Sequence, residues 1–190
     1  MPLPRAALIR QLGFLTMALA FALGLFAQIG LFTHLIARLA PDFGPGLAAA
    51  AISLIGTCAV VGRSLLGWLL GERDRRLAAA ANFAMQGIGS LLLAFGSGTA
   101  TLMAGCVLFG LGVGNLNLLP PLIAQREYRP VDVGTVVALV VAINQAAFAF
   151  APAVFGWLRD QTGNYVAAFL AAGAVQIAAA AIVVSGRRFS

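Results

Sequence analysis

The sequence predicts an all-α membrane protein, one domain of six transmembrane helices. Three observations carry that prediction. Hydrophobic residues fill 61% of the 190 positions and fall in long uninterrupted blocks. A block of about 18 or more apolar residues reads as a helix that crosses ~30 Å of hydrocarbon. Connectors rich in Gly, Pro, Asp and Asn separate the blocks, and these residues punctuate helices. The arginines collect in alternate connectors, as the positive-inside rule expects of a multi-pass chain.

The first span is placed at about 12–39. Arg5 and Arg10 before it give the outline of a signal peptide. The apolar run nevertheless continues from Leu12 to about Leu35, longer than a usual signal-peptide core, so it is read as a membrane helix. The second span is placed at 46–70, the third at 77–95, the fourth at 99–124, the fifth at 134–158 and the sixth at 165–185. APDFGPG, GERDRR, GSG, QREYRPVD and RDQTGN connect them. GSG is so short that the third and fourth spans must form an antiparallel hairpin.

The chain carries a formal charge of +6 and all twelve of its basic residues are arginine. In a soluble protein that charge would point to nucleic acid. Here the arginines are scattered between apolar blocks, so no nucleic-acid partner is expected. Arg5, Arg10, Arg73, Arg75, Arg76, Arg126, Arg129, Arg187 and Arg188 fall on one side, against Arg38 and Arg159 on the other. That bias places both termini in the cytoplasm. An arginine-only, alanine-rich chain suggests a GC-rich bacterial genome, and hence a bacterial inner membrane. Cys58 and Cys106 sit inside apolar blocks and read as small buried hydrophobes.

Spans one to three and four to six are expected to form a 3+3 inverted repeat. The second span of each triplet ends in one tripeptide, Gly67-Trp68-Leu69 and Gly156-Trp157-Leu158. The two copies end on opposite sides of the membrane, as inverted repeats require. At the same offset Gln28 falls opposite Asn117.

Polar side chains inside spans are costly unless they face protein or water. Gln28, Asn115, Asn117, Asn144 and Gln145 are the candidates for a solute cavity. Asn144 and Gln145 point about 100° apart on a helix, so they cannot share one neighbour. Gln86 and Gln176 read as interhelical hydrogen-bonding groups. Gly110 and Gly114 form a G-x-x-x-G suited to close helix approach, and Pro152 is expected to bend the fifth span.

No acid lies at mid-membrane depth: Asp42, Glu72, Asp74, Glu127, Asp132 and Asp160 fall in connectors or at helix ends. His34 is the candidate protonation site, since an unperturbed imidazole titrates near pH 6.5. No H-E-x-x-H, P-loop or paired acids occur. An enzyme, a cofactor and a metal site are therefore not expected.

The stretch GRSLLGWLLGERDRRLAAA resembles the signature loop of the major facilitator superfamily, roughly G-x-x-x-D-R-x-G-R-R between the second and third helices of each half. GLGVGNLNLLPPLIAQREY and AINQAAFAFAPAVFGWLRDQTGNY resemble helices ten and eleven of bacterial members. With Gly67 as the first glycine, the family's acid would fall on Gly71, so Glu72 or Asp74 must serve one or three positions late. The resemblance implies that Arg63, Gly67, Glu72, Arg73, Asp74, Arg75 and Arg76 form a cytoplasmic latch. Read from the residues alone, the same run is a solvated connector that sets topology. Both readings stand at this point.

The resemblance further implies a C-terminal six-helix half. Spans one, two, four and five would line the cleft, and three and six would face outward. The function expected is that of a secondary transporter half, moving a small solute by alternating access. Its partners would be the bilayer, the solute and a second six-helix half, as a separate chain or another copy. The alternatives are a non-transporting membrane scaffold and an inactive truncated remnant.

Overall fold

A computed structural model describes residues 3–189. Its helices run in the order α1 (Arg5–Leu8), α2 (Leu12–Leu70), α3 (Arg75–Phe95), α4 (Thr99–Val113), α5 (Asn115–Glu127), α6 (Pro130–Phe148), α7 (Ala151–Thr162) and α8 (Val166–Ser185), followed by a 3₁₀ turn at Gly186–Phe189. Among the described residues, five helical segments are long and apolar enough to cross a membrane. They are Leu12–Leu70, Arg75–Phe95, Thr99–Glu127, Pro130–Thr162 and Val166–Arg188.

The first of these covers 59 residues and is two helices that meet at a kink. Its backbone leaves the helical region at Gly44, with φ 72° and ψ 163°, a conformation that glycine reaches and other residues avoid. The connector expected over APDFGPG is therefore helical apart from this residue. Pro41 lies within the helix, and Pro45 follows the break, where a helix's first turn needs no N–H partner. Arg38 secures this end. Its Nε donates to the Leu93 carbonyl (3.0 Å), its Nη2 to the Gly96 carbonyl (3.2 Å), and its Nη1 pairs with Asp42 at 2.6 Å.

Other boundaries also move. The fourth span divides at Gly114 and continues to Glu127. The fifth begins at Pro130, because a proline at the first helical position lacks only a hydrogen that would be unpaired anyway. It divides between Phe148 and Ala151, just before Pro152, and continues to Thr162, where Gly163 ends it in the left-handed conformation (φ 71°).

α2 packs against α4, α8, α6 and α7, and α3 packs against α8 and α4. Glycines permit the crossings. A Cβ on Gly89 would lie 2.8 Å from the Phe109 amide and 3.0 Å from the Gly105 carbonyl, and one on Gly105 would lie 3.1 Å from the Gly89 carbonyl. This is the close antiparallel pair that GSG demands. Gly110 meets Ile55 and Cys58 of α2, and Gly114 meets the Arg63 side chain. The G-x-x-x-G face of α4 thus packs on the second part of α2. Asn82, Gln86 and Ser90, spaced by four, are all buried on the inner face of α3. Gln176 of α8 donates to the Gly24 carbonyl (3.2 Å) and lies 3.5 Å from Gln86 Oε1, the interhelical role expected of this pair.

Burial is uneven. Of the most apolar 18-residue stretch in each segment, 61% is buried in Leu12–Leu70, 50% in Thr99–Glu127 and only 17% in Pro130–Thr162. The α6–α7 segment is the one this bundle covers least. Trp68 and Trp157, which close the two matching tripeptides, are both exposed.

Candidate functional site

The arginine-rich connector organises one end of the bundle. Asp74 caps α3: its carboxylate accepts from the amides of Arg76 (2.8 Å) and Leu77 (3.2 Å), the usual service of an aspartate at this position. It also pairs with Arg187 at 2.7 Å. Burial raises the Asp74 pKa, but the Arg187 hydrogen bond and the two amides outweigh it, holding the carboxyl below the usual carboxylate range.

Arg76 is buried, 1% exposed, and all five of its N–H groups have acceptors. Nε and Nη2 grip Glu127 at 2.6 and 2.8 Å. Nη2 also donates to the Gly13 carbonyl (2.8 Å), and Nη1 to Thr16 Oγ1 (3.1 Å) and the Val183 carbonyl (3.2 Å). A guanidinium has five donors in a fixed fork, so this side chain is saturated. Gly186 lies so close that a Cβ there would collide with Arg76 and Thr16. The start of α2, the start of α3, the end of α5 and the end of α8 therefore meet at one arginine. Nearby, Asp132 accepts from the Leu3 amide (2.7 Å) and from Arg129 (2.8 Å).

This geometry divides the connector residues. Arg76 and Asp74 are built into the bundle. Glu72 is exposed and reaches Arg126 only at 3.9 Å. Arg73 is exposed, and Arg75 donates to the Arg73 carbonyl at 2.6 Å. Gly67 has open space where a Cβ would stand, so no close approach within this bundle requires glycine there. Arg63 is exposed, and its Nε donates to the Ala59 carbonyl of its own helix at 3.3 Å. The view of the whole run as a solvated connector is corrected at Arg76, because burial with five acceptors is the opposite of solvation.

The polar residues within spans also divide. Asn115 turns inward, donating to Asn82 Oδ1 (2.9 Å) and the Leu111 carbonyl (3.1 Å). Asn82 donates to the Gly112 carbonyl at 3.3 Å. Asn144 and Gln28 are buried, 4% exposed each, and their side-chain oxygens have no partner among the described residues. Asn117 and Gln145 are exposed. The five candidates thus do not share one wall: three lie inside the bundle and two on its surface. Asn144 and its neighbour Gln145 part as the helical angle requires.

His34 is half-buried at the opposite end. Its Nε2 lies 3.0 Å from the Pro152 carbonyl, and its ring centroid is 5.7 Å from that of Tyr165. The histidine thus ties the first span to α7 just past its break.

Sequence reasoning passed over Asn82 and Glu127. Asn82 carried a signal, standing four residues before Gln86 and eight before Ser90 on one helical face. Glu127 carried none, because its arginine lies 51 positions away.

Comparison with known proteins adds the following. Residues 2–184 match the model of a family described as "Uncharacterised MFS-type transporter YbfB". Monocarboxylate transporter 12 of Xenopus laevis is 27% identical over 130 residues, which are 66% of this chain and 28% of that protein. The Rattus norvegicus protein of the same name is 27% identical over 134 residues, 68% of this chain and 28% of its own length. Monocarboxylate transporter 12-B of Danio rerio is 26% identical over 150 residues, 76% of this chain and 31% of its own. The chain spans less than a third of the length of these relatives.

Proposed function

This chain belongs to the MFS-type transporter family described by YbfB, and from that premise we propose that it is one six-helix half of a secondary transporter. The break at Gly44 supports the count of six. It parts the 59-residue helix into two pieces, each longer than the ~20 residues a span needs. The half works by alternating access, rocking against a second bundle around a solute held between them. The second bundle is a separate chain or another copy.

One observation carries this reading. α6–α7 is apolar enough to span a membrane, yet only 17% of its most apolar stretch is buried, and Gln145 stands exposed on it. Asn117 is exposed on α5. Carboxamides at that depth are costly against lipid, and a second bundle with a water-filled cleft relieves the cost. Asn117 and Gln145 then contact the solute, while Gln28, Asn115 and Asn144 shape the bundle behind them.

The relatives' names make a monocarboxylate the first solute class to test. Arg63 suits it. This arginine lies within a span, exposed beside Gly114, and its Nε donates to a carbonyl of its own helix. A guanidinium binds a carboxylate through two parallel hydrogen bonds. The arginine-bearing end, where Arg76 gathers the helix ends, is assigned to the cytoplasm of a bacterial inner membrane by the charge bias, with both termini there.

The test is uptake of labelled short-chain monocarboxylates into proteoliposomes holding the chain with any bundle that co-purifies. Arg63→Gln, Asn117→Ala and Gln145→Ala are expected to reduce uptake several-fold at constant membrane abundance, with Arg63→Lys retaining part of it. Uptake indifferent to all three would overturn the assignment. A stable complex that moves no solute would favour the scaffold reading.

A further inference from the structure

A groove of about 570 Å³ runs between the end of α2, the start of α3 and the α4–α5 junction. Its walls are mostly apolar, with Leu65, Leu69, Leu77 and Met85 among them, and Asn82 and Asn115 lie at the α4–α5 junction. From Gly62 to Leu70 on α2, and from Leu77 to Met85 on α3, it extends about 12 Å at 1.5 Å per residue. That is close to the ~15 Å of one hydrocarbon leaflet. At its mouth stand Arg73 and Asp74, and these two residues also line a polar pocket with Glu72, Arg75, Arg126 and Glu127. An apolar slot of leaflet length therefore opens directly onto a charged cup.

The charges in that cup are not balanced. Glu127 is taken by Arg76 and Asp74 by Arg187. Glu72 faces Arg126 at 3.9 Å. Among the described residues Arg73 and Arg75 have no acid within ion-pair distance, and the Arg75 bond to the Arg73 carbonyl holds the two guanidinium-bearing residues side by side.

We infer that this groove is a binding site for an anionic phospholipid of the adjoining leaflet. One acyl chain lies in the slot and the phosphate sits on Arg73 and Arg75. Charge complementarity selects an anionic headgroup over a zwitterionic one, since Arg76 and Arg187 hold Glu127 and Asp74, and Arg73, Arg75 and Arg126 outnumber the loosely paired Glu72. The inference stands apart from the transport reading, because it does not depend on which solute moves or whether any does.

The experiment is native mass spectrometry of the full chain, extracted from membranes with any bundle that co-purifies. The chain is exchanged into micelles holding equal phosphatidylglycerol and phosphatidylethanolamine of the same acyl chains. Retention of one phosphatidylglycerol in preference to phosphatidylethanolamine is expected. The double variant Arg73→Gln/Arg75→Gln should lose roughly 25-fold in that preference, at about fivefold per arginine. Arg5→Gln/Arg10→Gln removes the same charge from exposed positions near the same end and should leave it unchanged. Ala81→Phe, at an exposed position lining the groove, should reduce retention with both arginines present. Equal retention of the two lipids by the unaltered chain overturns the inference. So does equal loss in the two arginine pairs, which reports diffuse attraction, or retention indifferent to Ala81→Phe.

Discussion

Arg76 and Glu127 form a two-point ion pair, Nε to Oε1 at 2.6 Å and Nη2 to Oε2 at 2.8 Å, inside the bundle. Removing one member of a buried pair strands the other charge, at ~3–5 kcal/mol. Arg76→Gln is therefore expected to lower thermal stability in detergent by a margin of that order. Arg75→Gln, on a half-buried side chain without an acid partner, is expected to cost ~0–1 kcal/mol, the scale of an exposed contact. Comparable losses in the two variants would contradict the difference in their surroundings.

Asp74 makes a pH prediction. Its pKa is lowered in the folded chain because the Arg187 hydrogen bond and the α3 amides outweigh burial. A depressed acid contributes stability above its unfolded pKa, here near the ordinary aspartate value of 3.8. That contribution is lost as pH falls through the lower folded value. Asp74→Asn should lower stability at neutral pH and flatten the loss that the unaltered chain shows below about pH 4. An unchanged acid limb would refute it.

Two glycines should behave in opposite ways. Gly89→Ala puts a Cβ 2.8 Å from the Phe109 amide, which forces α3 and α4 apart at ~1–3 kcal/mol, the usual range for overpacking. Gly67→Ala meets nothing within 4 Å and should stabilise its helix by about 0.5–1 kcal/mol. Thermal melts of the two proteins decide it. A Gly67→Ala protein that melts normally yet transports poorly would show that this glycine serves the contact with a second bundle.

Orientation is tested by labelling. Glu72 and Ser97 are exposed at opposite ends of α3. In a background without Cys58 and Cys106, Ser97→Cys is expected to react with an impermeant thiol reagent added outside the cell. Glu72→Cys should react only after the membrane is opened. The reverse pattern would invert the assignment of the arginine-bearing end.

The spans were legible because apolar block length is a one-dimensional property. The break at Gly44 falls inside the APDFGPG connector read from the sequence. Which residue of that connector interrupts the helix was not legible, because it depends on a glycine-only backbone conformation at Gly44, while Pro41 stays within the helix. Residues of one face were readable in principle: Asn82, Gln86 and Ser90 follow the helical period. Partners were not. Arg75 and Arg76 look alike as text, and only the arrival of α5 and α8 makes one a buried hub and leaves the other at the surface.

The sparse burial of α6–α7 has a consequence for the order in which the molecule comes apart. Segments with few buried contacts open first in native-state hydrogen exchange, and well-packed ones open last. α2, whose most apolar stretch is 61% buried, should exchange its amides most slowly. The residues around Ala149 and Phe150, where the backbone is already interrupted, should exchange fastest of any membrane-depth stretch. A deuterium-uptake map of the isolated chain would then show a slow kernel and one labile arm. Protection appearing in that arm alone would signal the arrival of whatever covers it.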